Sequence, residues 1–127
     1  MSDKTIVILG GGAGGIVAAN ELRHKLPREH RIIIVEKNAG HAFAPSFIWL
    51  MTGSRTQEKI VVPLESLIRR GVEFLRAEAT GIDTSARRIT ASSQTINYDY
   101  LILALGAELA PELIPGLEEN AHSFYTI

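Results

Sequence analysis

The run Thr5-Ile-Val-Ile-Leu-Gly-Gly-Gly-Ala-Gly-Gly15 constrains this chain more than any other stretch. A β-branched apolar segment ends in glycines, and Gly10, Gly12 and Gly15 fit G-x-G-x-x-G. An acid, Glu36, closes a second apolar run about twenty residues beyond the last glycine. Strand, glycine turn, helix, strand and acid in that order predict a βαβ unit that binds a dinucleotide. Flavin and nicotinamide chemistry are the kinds that use such a unit.

Each glycine has its own task in such a turn. Gly10 permits the sharp exit from the strand, Gly12 lets a pyrophosphate approach bare backbone, and Gly15 lets the helix pack close to the strand. Gly11, Ala13 and Gly14 keep the rest of the surface free of bulk. Amides at the helix start point at the phosphates, and the helix dipole favours their negative charge. Ile16, Val17, Ala18, Ala19 and Leu22 supply the face that packs on the sheet. Arg31-Ile-Ile-Ile-Val35 reads as a strand covered on both sides, as a parallel sheet requires. Glu36 is expected to accept hydrogen bonds from both ribose hydroxyls. Its charge opposes the 2′-phosphate of NADP, an argument that Lys37 weakens only slightly. A glycine-rich turn in an unrelated α/β protein, with a solvated acid at a strand end, is the plainer alternative; the ordered succession favours the dinucleotide.

With 127 residues, 46% of them hydrophobic and 21% charged, the chain can bury a core as one soluble globular domain. A formal net charge of −1 offers no broad basic field for nucleic acid. There are no cysteines, so a disulfide, a thiolate metal site and a redox dithiol are excluded within these residues. His24, His30, His41 and His122 lack ligand spacing, and each is expected to be a surface or packing residue rather than a metal ligand. Met1-Ser-Asp-Lys4 runs straight into the first strand, leaving no room for a signal peptide. No apolar run reaches bilayer-spanning length, and Phe43 to Met51 is interrupted by Pro45 and Ser46. A cytoplasmic location is expected, with membrane contact only through segments outside these residues.

The pattern predicts a strand at 5–9, a helix at 14–26 ended by Pro27, and a strand at 31–36, with a right-handed crossover. Residues 37–62 read as irregular or locally helical. Pro63 suits the first turn of a helix running to about Arg70, with Arg69 and Arg70 at its C-terminal dipole and Gly71 closing it. A strand follows at 72–76. Short strands at 78–83, 87–91 and 94–97 predict a three-stranded antiparallel meander, about 77–97, inserted into the parallel sheet. Tyr98 to Gly106 is a further buried strand ending in glycine, and Pro111, Pro115 and Gly116 mark an irregular connection. No closing element precedes Ile127, so the chain is expected to be truncated. The fold class is α/β, a Rossmann-type parallel sheet with an added meander.

These features together resemble the FAD-dependent pyridine nucleotide-disulfide oxidoreductase superfamily over essentially the whole chain. The residues that carry the resemblance are Ile8-Leu-Gly-Gly-Gly-Ala-Gly-Gly15, Glu36, the meander and Tyr98-Asp-Tyr-Leu-Ile-Leu-Ala-Leu-Gly-Ala107. The last run is similar to the superfamily's second flavin motif, with Leu105 in place of the usual Thr between Ala104 and Gly106. His41-Ala-Phe-Ala-Pro-Ser-Phe-Ile-Trp-Leu-Met-Thr-Gly53 is most similar to sulfide:quinone oxidoreductases and to flavocytochrome c sulfide dehydrogenase flavoproteins. Type II NADH dehydrogenases have a related segment. The resemblance implies FAD at the first site with its adenosine on Glu36, Pro45 and Ser46 beside the isoalloxazine ring, and backbone at Glu78 and Ala79 beside the adenine. Read from the residues alone, Pro45 and Ser46 form an ordinary helix start in which Ser can cap. Trp49 reads as a packing residue. The sulfide enzymes carry a redox cysteine near Ser123-Phe-Tyr-Thr-Ile127, and Tyr125 stands in its place. A phenol cannot form a sulfur-bridged intermediate.

The leading expectation is the N-terminal part of the FAD-binding domain of a flavin oxidoreductase, passing electrons from a reduced donor through FAD to quinone. A type II NADH dehydrogenase or another pyridine-nucleotide flavoenzyme is the second reading, with NAD(P)H as a further cofactor. A non-enzymatic nucleotide-binding module is the third. No catalytic side-chain set lies within these residues. The chain by itself is expected to hold FAD weakly or not at all, and to self-associate through apolar surface left uncovered.

Overall fold

The structure, a computed structural model, describes residues 3–123 and 125. The chain clusters into two units, residues 1–41 with 63–106, and residues 42–62 with 107–127. In chain order the first stretch gives β1 (Thr5–Leu9), α1 (Ala13–Lys25), β2 (Arg31–Glu36) and β3 (Gly40–Ala42). Next come α2 (Phe47–Met51), β4 (Val61–Pro63) and β5 (Glu73–Arg76). The meander strands are β6 (Ala79–Asp83), β7 (Arg88–Ala91) and β8 (Gln94–Asn97), followed by β9 (Tyr100–Leu103) and α3 (Leu117–Asn120).

Four strands of the first unit form a parallel sheet in the order β5-β2-β1-β9. Ile8 at its centre faces Ile34 on one side and Ile102 on the other. Strand side chains alternate between faces, and both faces are apolar here. Ile6, Ile8, Ile32 and Ile34 point to one side and meet Ala19 of α1 and Leu64. Val7, Leu9, Ile33 and Val35 point to the other side and meet Ile89 and Ala91 of β7. The expected meander is present as β6-β7-β8, fully antiparallel, with Ile89 opposite Ile82 and Ile96. It forms a sheet of its own that covers one face of the parallel sheet, while α1 covers the opposite face. The fold is therefore mixed α/β, as the strand and helix periods predict.

Local chemistry accounts for the boundaries. Pro27 lies just beyond α1, and Arg23 gathers the freed carbonyls by donating to Leu26, Pro27 and His30. Val17, expected on the packed face of α1, is instead exposed, because the buried line runs through Gly15, Ile16 and Ala19. The helix expected from Pro63 to Arg70 is only a 3₁₀ turn, Leu64–Leu67. The Asn20 side chain explains the early stop. It donates to the Leu67 carbonyl and accepts from the Arg69 N–H, at 2.8 and 2.7 Å, and so holds Ile68 extended. Arg69 and Arg70 consequently lie outside any helix. The last strand is shorter than the apolar run, ending at Leu103.

The second unit is built from short turns. The 3₁₀ turn Ala44–Ser46 leads into α2, and Arg55 lies 4.1 Å from the ring centre of the half-exposed Trp49. Pro111, Ile114, Leu117, Ala121 and Tyr125 contribute to the lining of a cavity of about 590 Å³. Among the described residues, no helix is long and apolar enough to cross a membrane. Expectations that rest on Met1, Ser2, Phe124, Thr126 or Ile127 fall outside the described residues.

Asp99 ties β9 to β1 before the strand begins. Its carboxylate accepts from the Thr5 N–H at 2.8 Å and from Lys4 Nζ at 3.0 Å, while its own N–H donates to the Thr5 carbonyl. The Thr5 amide first, and Lys4 second, hold the Asp99 carboxyl below the usual aspartate range. A carboxyl depressed in the folded state stabilises that state above its unfolded pKa, and the contribution is lost as pH falls through the folded value. Asp99→Ala should therefore lower the thermal midpoint at neutral pH. The deficit relative to wild type should shrink on acidification below about pH 4, as thermal unfolding across a pH series would measure.

Candidate functional site

The glycine corner lies where β1 gives way to α1, beside the carboxyl ends of β2 and β9. Gly10 has φ +107°, a conformation costly for any residue with a Cβ, and a Cβ there would also strike the Ala104 carbonyl. Gly15 is required for a different reason. A Cβ on it would collide with the Gly10 carbonyl oxygen, so the first turn of α1 rests directly on the turn that precedes it. Gly12 has nothing within 4 Å of a built Cβ and is exposed, as are Ala13 and Gly14. Gly12 is also the N-cap of α1, with no side-chain cap bond and no acid in the first turn. The helix start thus presents bare backbone with its amides uncovered by protein side chains, a surface suited to an anion.

Glu36 turns toward this corner. Its Oε2 accepts from the Gly11 N–H at 2.9 Å, and its Oε1 accepts from the Asn38 N–H and from Asn38 Nδ2 at 2.8 and 2.9 Å. Gly11 is buried, and a Cβ on it would strike Leu64 and crowd Glu36. A carboxylate has about four lone-pair sites. Both sites on Oε1 are therefore occupied, and one on Oε2 remains.

The second glycine-containing run reaches the same corner. The Ala104 N–H donates to the Leu9 carbonyl at 2.8 Å, and Ala104 lies under Gly10 and within 3.9 Å of a Cβ built on Gly14. Gly106 has φ +79° and open space around it. Lys37 and Glu78 form a loose exposed ion pair at 3.9 Å next to Glu36, and the Ala77 N–H donates to the Glu36 carbonyl. Ala79 is partly buried against the core between the two sheets. Gly10, Gly11, Gly12, Ala13, Gly14, Gly15, Glu36, Lys37, Ala79, Ala104 and Gly106 all lie in the first unit, and Pro45 and Ser46 lie in the second. Pro45 occupies the first turn of its 3₁₀ segment. Ser46 is buried and makes no side-chain cap bond, so the capping expected of it is absent.

Two contributors escape a reading of the sequence. Asn38 supplies two of the three donors to Glu36. His41, expected to be a surface or packing residue, approaches the Gly11 carbonyl with Nδ1 at 3.1 Å. The available signal for Asn38 was its place two residues after Glu36, while the contact of His41 with Gly11, thirty residues earlier, has no local signal.

A parallel sheet capped by this glycine corner, with an acid at the neighbouring strand tip, defines the Rossmann-type fold used for FAD and NAD. Residues 4–127 match the model of the pyridine nucleotide-disulphide oxidoreductases, and the chain belongs to that family. It is 38% identical to the sulfide-quinone reductase of Aquifex aeolicus over 97% of this chain and 29% of that protein. It is 29% identical to the type II NADH:quinone oxidoreductase of Staphylococcus haemolyticus over 98% of this chain and 31% of that protein. The X-ray structure of the Aquifex enzyme superposes with a TM-score of 0.85 at 36% identity, covering 97% of this chain and 29% of that one. The chain thus spans less than a third of the length of these relatives.

The glycines differ in what they tolerate. Gly15→Ala should cost at least about 1–3 kcal/mol of stability, because the collision is with backbone that has nowhere to move. Gly12→Ala meets no clash and should cost at most about 1 kcal/mol of stability, the N-cap preference for Gly over Ala. Chemical denaturation of the two variants measures the contrast.

Proposed function

We propose that this chain is the N-terminal FAD-binding part of a flavin oxidoreductase that passes electrons from a reduced donor to a quinone, of the sulfide:quinone reductase type. The observation that carries the binding half is the bare corner at Gly12 with Glu36 beside it and a lone pair left on Oε2. The residues present fit an adenosine diphosphate moiety. The diphosphate would lie on the amides of Gly12, Ala13 and Gly14, and one ribose hydroxyl would donate to Glu36 Oε2. A second hydroxyl would need a place on Oε1, which the Asn38 side chain yields by rotating away while the Asn38 main-chain amide stays. Glu36 opposes a 2′-phosphate at this position. Lys37, Ala79, Ala104 and Gly106 complete the rim, and Pro45 and Ser46 are assigned to the ring end of the cofactor by resemblance alone. Bound FAD supplies the two-electron chemistry; these residues bind it and orient it.

The sulfide assignment rests on the similarity to the Aquifex enzyme and on the segment from His41 to Gly53. One observation favours a second reading as a type II NADH dehydrogenase. These residues include no cysteine, and the resemblance to the sulfide enzymes implies that Tyr125 stands where those enzymes carry one. In that reading NADH is the donor and quinone remains the acceptor. Either way a membrane surface would be met through segments beyond this chain, and the chain alone would bind FAD weakly and self-associate through its uncovered apolar surface.

The protein carrying this chain should purify with a flavin absorption band and reduce quinone with sulfide. Turnover with NADH and none with sulfide would transfer the assignment to the second reading, and bound NAD without flavin would reject both. Glu36→Gln keeps an oxygen for the Gly11 N–H but removes the charge. It should weaken FAD binding about 10- to 100-fold, the worth of a hydrogen bond to a charged group. Fluorescence titration of the flavin-free protein reads the change.

A further inference from the structure

The Gly11 residue is held from both sides. Its N–H donates to Glu36 Oε2 at 2.9 Å, and its carbonyl lies 3.1 Å from His41 Nδ1. A carbonyl can only accept, so Nδ1 carries the proton and donates. The Gly11–Gly12 peptide is planar and trans, which fixes the Gly12 N–H antiparallel to the Gly11 carbonyl. Turning that carbonyl toward His41 therefore turns the Gly12 N–H the opposite way, away from His41 at the exposed corner. Nothing on Gly12 itself supplies this orientation. It has no side chain, and nothing lies within 4 Å of the space a Cβ would fill.

We propose that His41 is a positioning residue for diphosphate binding: by donating to the Gly11 carbonyl it sets the plane of the Gly11–Gly12 peptide and so aims the Gly12 N–H at the phosphates. The inference rests on the dinucleotide reading of the corner and goes beyond it, because it assigns the alignment of the loop to a side chain outside the glycine motif. Glu36 and His41 then divide the work. Glu36 fixes the Gly11 amide and takes the sugar, while His41 fixes the next peptide and thereby acts on the phosphates without touching them. A pre-aligned amide binds more tightly than one that must be ordered on binding.

The test uses flavin-free protein carrying this chain, titrated with adenosine, ADP and FAD. His41→Phe keeps the ring volume and removes the donor. His41→Asn places an amide Nδ2 the same number of bonds from the backbone as the imidazole Nδ1. His41→Phe should weaken ADP and FAD about three- to tenfold, the worth of one neutral hydrogen bond, and leave adenosine unchanged. His41→Asn should return both to within about twofold of wild type. Equal loss for adenosine and ADP would show a general disturbance of the corner and overturn the proposal. So would wild-type ADP affinity in His41→Phe, or failure of Asn to rescue. Wild-type protein that binds neither ADP nor FAD would reject the dinucleotide reading itself.

Discussion

The whole arrangement depends on main chain lying directly against main chain where β1 turns into α1. The Gly10 carbonyl fills the space a Gly15 side chain would need, and the Ala104 carbonyl fills the space a Gly10 side chain would need. The two ends of one glycine turn thus meet each other and a segment some ninety residues later, main chain against main chain. That closeness seats α1 on the sheet and brings its uncapped amides to the strand ends. It also brings the run ending at Gly106 into the same corner. The shape of this corner is a property of packing before it is a property of any functional group.

Around this contact the burial pattern is economical. A parallel strand must be apolar on both sides, and the buried apolar residues of β1 and β2, Leu9 included, are shared evenly between two covers. One cover is α1, which meets the sheet through Ala19, Ala18 and Leu22, and the other is a three-stranded sheet contributing Ile89 and Ala91. The charged partners lie at the margins. Arg31 and Glu73 pair in a bidentate fashion across β2 and β5, each about half exposed, so the pair aligns strands more than it stabilises them.

Much of this was legible in the residues. The glycine spacing, the run Arg31–Val35 and the alternation in 78–97 led to the βαβ unit and the meander because each rests on a local rule with a period or a forbidden side chain. What was not legible depended on a partner distant in the chain. Nothing near Leu67 announces that Asn20 will interrupt the helix there. Nothing in the apolar spacing of α1 says that Val17 lies off the buried line of Gly15, Ile16 and Ala19. At the site, Glu36 was legible from its place after a strand, but its bond to Gly11 was not, nor were the roles of Asn38 and His41. The contacts of Glu36 and His41 with Gly11 span 25 and 30 residues and require knowing how β2 and the chain after it lie against the glycine turn.

The clamp on β9 has a consequence for how the corner is assembled. Asp99 and Thr5 bond reciprocally at one end of the β1–β9 pair, and Ala104 bonds Leu9 at the other. Four residues of strand between two fixed points leave no freedom to slide. A slip by a single position would exchange the two faces of β9, swing Ile102 out of its contact with α1's side of the sheet, and pull Ala104 from beneath Gly10. The pairing of an early and a late strand therefore works as a gauge block: it sets the height at which two glycine turns, made more than ninety residues apart in the chain, come level with each other.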